Sequence, residues 1–201
     1  MRRVRAVLLA AWLACPMPAQ ADGPATLYGW LEQQHQLMRR YRTVLRQAVH
    51  DLSYEYQMPA LMLPIAMDFY TGEVAHMHEL ERQVLYPAVK AQMTPEQQRQ
   101  LDFLDQEIES EHATVRKWQQ SSEKAGLIDA IDYLEQMLNR HLVLQEQWVF
   151  PVLDKLSAKQ ALLLRDLARM DAALFGRDGR RGHEATLAYL EGEVARISPR
   201  L

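Results

Sequence analysis

The chain has 201 residues, with 23 Lys and Arg against 26 Asp and Glu, a formal charge of −3, and 48% hydrophobic and 24% charged residues; this is a globular composition and excludes disorder. Only 8 Gly and 9 Pro interrupt a sequence rich in helix formers, which disfavours an all-β fold. A single Cys excludes a disulfide framework and a thiolate zinc cluster.

Residues 1–21 read as an export signal. Arg2, Arg3 and Arg5 precede an apolar run from Ala6 to Ala14, too short to span a bilayer as a helix. Ala19-Gln20-Ala21 is a small-x-small cleavage site, so the mature chain starts at Asp22. The protein is therefore expected in the periplasm or secreted, with no transmembrane segment left after cleavage. Leu13-Ala14-Cys15 offers a lipoprotein alternative, although Trp12 stands where such motifs usually carry Leu. Cleavage at Ala21 removes three positive charges, no negative ones, and the thiol, which suits an oxidising compartment. The acidic balance that remains argues against nucleic-acid binding.

The mature chain predicts a run of amphipathic helices. The first spans about Thr26 to Val49, with Leu27, Leu31, His35, Met38, Leu45 and Val49 near helical spacing and Thr26 as its cap. Asp51 to Pro64, with Pro59 and Pro64, reads as a connector. The second helix covers about Ile65 to Tyr86, with Val74, His78, Glu81, Leu85 and Val89 on one stripe and Gly72 as a weak point. Thr94-Pro95-Glu96-Gln97 opens the third with a cap, a first-turn proline and a capping-box Gln. Its apolar stripe is Leu101, Leu104, Ile108, His112 and Val115. After Gly126 a fourth helix carries Ile131, Leu134, Leu138, His141, Gln145 and Trp148 up to Phe150-Pro151. A fifth starts at Ser157 and runs to about Phe175. A basic turn from Gly176 to Gly182 leads to a last helix from about His183 to Ile197. The expected fold is all-α: an up-down-up-down four-helix bundle over residues 22–156, with a helical extension of two further helices over 157–201. Those two either pack on the bundle side or mediate a homo-oligomer.

Each of the four bundle helices carries a His near its apolar stripe: His35, His78, His112 and His141. The second and fourth add Glu81 and Glu146. A bundle interior penalises imidazoles and carboxylates unless they are paired or grip a cation. One such His is usually a satisfied core residue; four on successive helices point to a shared site. Imidazoles with carboxylates and no thiolate suit iron, zinc or manganese, and the carboxylates favour iron or manganese over copper. His then Glu then aromatic-Pro also occurs twice, as His76 or His78, Glu81 and Tyr86-Pro87, and as His141, Glu146 and Phe150-Pro151.

From about Thr26 to Leu153 the chain resembles the hemerythrin-like (HHE cation-binding) domain. The residues that carry the likeness are Glu32 to Leu37 around His35, His78-Glu79-Leu80-Glu81 with Leu85-Tyr86-Pro87, Glu111-His112, and His141 with Glu146 and Val149-Phe150-Pro151. The resemblance implies a bundle holding non-haem iron, one or two ions, and a role in carrying or sensing oxygen, sensing redox state, storing or sensing iron, or repairing iron centres. The chain departs from the family in two places. The second-helix His usually lies four residues before the Glu, where this chain has Met77; His76 and His78 flank it. His78 lies about 60° from Glu81 on an ideal helix and His76 about 140°, whereas the five-residue step from His141 to Glu146 favours His76. A one-residue bulge near Gly72 would alter the choice. The family's second third-helix His is replaced by Arg116, and a guanidinium beside a metal pair is unfavourable, which argues for one ion held weakly or not at all.

The candidate ligands are thus His35, His76, His78, Glu81, His112, His141 and Glu146. A rival set, Glu73-x-x-His76 and Glu109-x-x-His112, matches the step of ferritin-like sites, although on the second and third helices instead of the second and fourth. The function expected is an exported protein that binds or senses oxygen, nitric oxide or iron. The alternatives are a di-iron enzyme acting on oxygen or peroxide, and a structural or partner-binding bundle whose metal site has decayed.

Overall fold

A computed structural model of the chain describes residues 24–53, 59–121, 123–175 and 179–197. The expected export signal, its cleavage site and Cys15 lie outside the described residues, as do residues 176–178 of the basic turn. All elements among the described residues are helical, and none of the helices is long and apolar enough to cross a membrane.

Helix α1 is Leu27–Ser53. Its first turn is closed by Thr26, whose Oγ1 accepts from the Gly29 N–H at 2.9 Å and whose carbonyl accepts from Trp30 at 2.9 Å. Helix α2 occupies 59–90 and changes winding twice. α-Helical Pro59–Phe69, Ala75–Leu80 and Tyr86–Lys90 alternate with π turns at Tyr70–Val74 and Glu81–Leu85. Helix α3 is Pro95–Gln120, started by the expected capping box: Gln97 N–H donates to Thr94 Oγ1 at 3.3 Å and Thr94 N–H to Gln97 Oε1 at 2.9 Å. Helix α4 is Lys124–Trp148. A turn at Phe150–Leu153 and a 3-10 stretch at Asp154–Lys159 lead into α5, Gln160–Phe175, and α6 is Gly179–Ile197.

Three boundaries differ from the sequence expectation. The connector is helical from Pro59, a residue suited to a helix start, and Pro64 lies inside that helix. Its missing N–H forgoes one backbone bond, a loss outweighed by the packing of Ala66, Met67 and Phe69 in the core. Ser157 falls inside the 3-10 stretch, and α6 begins at Gly179 ahead of His183.

Helices α1 to α4 form the up-and-down bundle. Their apolar side chains separate into two blocks. One gathers Met38, Tyr41, Leu45, Phe69, Val74, Met77, Val115, Trp118, Ile131, Leu134 and Leu138. The other gathers Leu27, Leu31, Leu80, Leu85, Val89, Leu101, Leu104, Ile108, Val149 and Leu153. Near the boundary between the two blocks each rod carries buried polar residues: Gln34 and His35, His78 and Glu81, Glu111, and His141 and Gln145. The C-terminal helices pack back on the bundle. α5 adds Leu163 and Leu167 to the second block, and α6 adds Leu187 and Leu190 to the first. Arg40 of α1 clasps Glu191 with two hydrogen bonds, at 2.8 and 2.9 Å, and Glu184 at 2.9 Å.

Candidate metal centre

The winding of α2 decides what it presents to the bundle axis. A π turn accommodates one extra residue and shifts the phase of everything beyond it. The first π turn contains Gly72 and ends with the Ala75 N–H bonded to the Tyr70 carbonyl. In the second, the Tyr86 N–H reaches the Glu81 carbonyl, immediately before Pro87, which has no N–H to give an α-helical bond. Between these two shifts lie His76, Met77 and His78. Met77 and His78 are fully buried, Met77 in an apolar block.

Three side chains from three helices meet in the polar layer. His78 of α2, Glu111 of α3 and His141 of α4 each offer one ligand atom, all within 4.8 Å of one another and all buried. His78 Nε2 lies 3.5 Å from Glu111 Oε2, and His141 Nδ1 lies 3.6 Å from Glu111 Oε1. Glu81, also fully buried, has its Oε2 3.6 Å from His141 Nε2. The His78 and His141 rings are 4.9 Å apart at their centroids. These separations exceed hydrogen-bond length, and both nitrogens of His78 and His141, both oxygens of Glu111 and Oε1 of Glu81 have no hydrogen-bond partner. Leaving so many buried polar atoms unpaired is costly. Ligands of a single transition-metal ion with bonds of about 2.1 Å lie at most about 4.2 Å apart, so small side-chain rotations close this set around a cation. The donor chemistry, imidazole with carboxylate and no thiolate, suits such an ion.

The electrostatics agree. Burial raises the Glu111 carboxyl to about 8; the neighbouring Glu81 and Glu107 push the same way, and His141 opposes them. Burial, with His141 and His112 nearby, holds His78 well below its ordinary range, so it is neutral with a lone pair to give. Burial pulls His141 down as well, but Glu81, Glu111 and Glu107 together outweigh it and leave it raised.

Glu81 is held from behind. Tyr86 Oη donates to Glu81 Oε2 at 3.2 Å, and Gln145 Nε2 donates to Tyr86 Oη at 3.1 Å. Gln145 Oε1 in turn lies 2.6 Å from His35 Nε2. His35 is fully buried, and its Nδ1 faces Glu146 Oε1 at 3.1 Å. Glu146 is half exposed and also pairs with Arg39. His112 is next to the cluster, its ring 5.9 Å from that of His78, with Nε2 buried and unpartnered. The structure therefore brings His78, Glu81 and His141 together with Glu111, sets His112 beside them, and keeps His35 and Glu146 one Gln–Tyr step away. His76 turns to the outside of the bundle, where Nε2 meets Asp171 of α5 at 3.1 Å. The ferritin-like alternative is not assembled: Glu109 is an exposed partner of Arg82 at 2.7 Å, and His76 is committed to Asp171.

Glu111 was not among the ligands expected from the sequence, and neither Tyr86 nor Gln145 was given a role. A signal for Glu111 was there. Measured from Leu104 on an ideal helix, Glu111 is about 20° away and His112 about 80°, so the acid lies nearer the centre of the stripe.

The family model of the hemerythrin HHE cation-binding domain matches residues 26–153. No curated protein matches significantly, and no solved structure does. With well over half of its length matched, and with a buried His and Glu cluster at the level where the four rods meet, the chain belongs to the hemerythrin HHE cation-binding family.

Proposed function

We propose that this is an exported protein, periplasmic or secreted, that binds non-haem iron in the bundle core and through it binds or senses oxygen, nitric oxide or iron itself. The observation that carries this is the nest of buried, unpartnered donor atoms on His78, Glu111, His141 and Glu81. His78, Glu111 and His141 would hold the ion, with Glu81 as a further carboxylate. Iron, when bound, would supply the Lewis acidity and redox capacity that no side chain offers.

The chain's own contribution is placement and exclusion. Tyr86 and Gln145 fix the orientation of Glu81, the kind of support that tunes a ligand's grip. The two apolar blocks shut bulk water out from above and below. His35 supports a single-ion centre, because both of its ring nitrogens already face oxygens of Gln145 and Glu146. The test is metal analysis of the full chain purified from iron-supplied cells, with an ultraviolet–visible spectrum. About one iron per chain and a charge-transfer band are expected. A metal-free protein whose melting temperature is unchanged by added iron would overturn the proposal and favour the decayed site.

A further inference from the structure

One buried acid beside the cluster has no part in the ligand set. Glu107 lies one helical turn before Glu111 on the same side of α3, about 6 Å along the axis. Its Oε1 accepts from Arg140 Nη2 of α4 at 2.5 Å, and Arg140 is the residue next to His141. Its Oε2 is buried and has no hydrogen-bond partner. Glu107 is close enough to act on the cluster: burial raises the Glu111 carboxyl and Glu107 adds to it, and at His141 Glu107 is among the acids that counter burial.

Exposure falls stepwise along this line of groups. The side chain of Arg140 is 52% exposed, that of Glu107 8%, and those of Glu111 and His141 0%. A carboxylate that served only to pin Arg140 would not need one oxygen sunk unpaired, which is costly. Glu135, a comparably buried acid on α4, shows the contrast: Arg42 and Arg46 both meet it, at 2.7 and 3.3 Å. Arg140 also has a second resting place, since its guanidinium lies 5.3 Å over the exposed ring of Phe103. It can release the acid and keep a cation–π contact. On the other flank of the cluster, the pocket at His112 is lined by Arg116, whose charge repels a dication.

We propose that Glu107 is the entry carboxylate of the centre, meeting a divalent cation when Arg140 swings aside and passing it inward to Glu111 and His141. This rests on the metal-binding reading above and adds a route to it. Glu107 is a positioning residue on that route and no part of the final ligand set, so it sets the rate of exchange and leaves the strength of binding unchanged.

The test is the rate of ferrous iron uptake by the metal-free full chain in the absence of oxygen. External iron is captured by a chelator at set times, and iron on the protein is counted; release is timed in excess chelator. Glu107→Gln with Arg140→Gln removes the pair without changing the net charge. This double variant is expected to take up and release iron about tenfold more slowly than the parent, within the range by which charged routes alter rates, with stoichiometry and affinity unchanged. Arg140→Gln alone, at an exposed position, leaves the acid uncovered and is expected to load at least about threefold faster. Glu135→Gln is expected to load at the parent's rate. Parental rates in the double variant overturn the proposal, as does slow uptake with unchanged release, which would make Glu107 part of the hold on the ion. Uptake by folded Arg140→Gln that is no faster than the parent's overturns it even where the double variant does not fold. Each of these leaves the metal reading standing; a parent chain that takes up no iron overturns both.

Discussion

Gln145 stands between His35 and Tyr86, with its amide oxygen 2.6 Å from the imidazole and its amide nitrogen 3.1 Å from the phenol. One buried side chain thereby links α1 to α2 through α4 and sets the direction in which Tyr86 donates to Glu81. Replacing it with Leu keeps the volume and removes both bonds. Gln145→Leu and Tyr86→Phe are each expected to lower iron affinity by about ten- to a hundredfold, the range seen when the groups behind a metal ligand are removed. Chelator competition on the folded variants measures this; unchanged affinity would mean that Glu81 needs no such support.

His141 and His76 differ in what they face, and substitution separates them. His141→Ala and Glu111→Gln remove atoms of the buried cluster and should abolish stoichiometric iron. His76→Ala removes the Asp171 contact between α2 and α5 and should lower the melting temperature while keeping the metal. Equal metal loss in His76→Ala and His141→Ala, read by elemental analysis, would show that the cluster is not the site.

The buried carboxyl of Glu111 makes stability and metal affinity respond to pH in opposite directions. Its folded value is raised from 4.5 to about 8, so its contribution to the metal-free fold is full below 4.5 and is lost as pH rises toward 8. His141, also raised, acts in the same sense. His78, lowered from 6.5, weakens the fold only as pH drops below that value. Between about pH 6.5 and 8 the metal-free protein should therefore lose stability, and Glu111→Gln should flatten the slope. Iron affinity should rise over the same window, because binding requires the carboxylate to release its proton. Denaturant unfolding and chelator competition at the two ends of the window check both signs.

Met77 occupies the place where the family resemblance calls for a histidine, and it is packed in an apolar block at 1% exposure. Met77→His should therefore add no iron. It should cost about 1–3 kcal/mol of stability, the penalty for burying a polar group without a partner. Thermal unfolding and metal analysis of one preparation decide it; a gain of iron would mean that the rod turns more freely than its winding suggests.

The fold was legible because its signals are local. Thr94 and Gln97 form the capping box that their spacing announces, Thr26 caps α1, and the apolar stripes of α1, α3 and α4 repeat at helical spacing. The site was less so, because ligand geometry depends on phase, and phase accumulates. Each π turn in α2 adds an offset that composition does not display, although Gly72 marks the first and Pro87 follows the second. Glu111 was hidden by its neighbour: beside an imidazole, an acid on a polar helix is easily taken as solvated. Gln145 lay on the apolar stripe, but as a neutral amide it gave no hint that it would hold a tyrosine.

The two apolar blocks do not merge, and each carries its own passenger: α5 rides on one and α6 on the other. At the seam between them, buried ionisable groups instead of hydrocarbon face one another. An ion gripped in that seam would therefore tie the two hydrocarbon blocks, and with them α5 and α6, to one another.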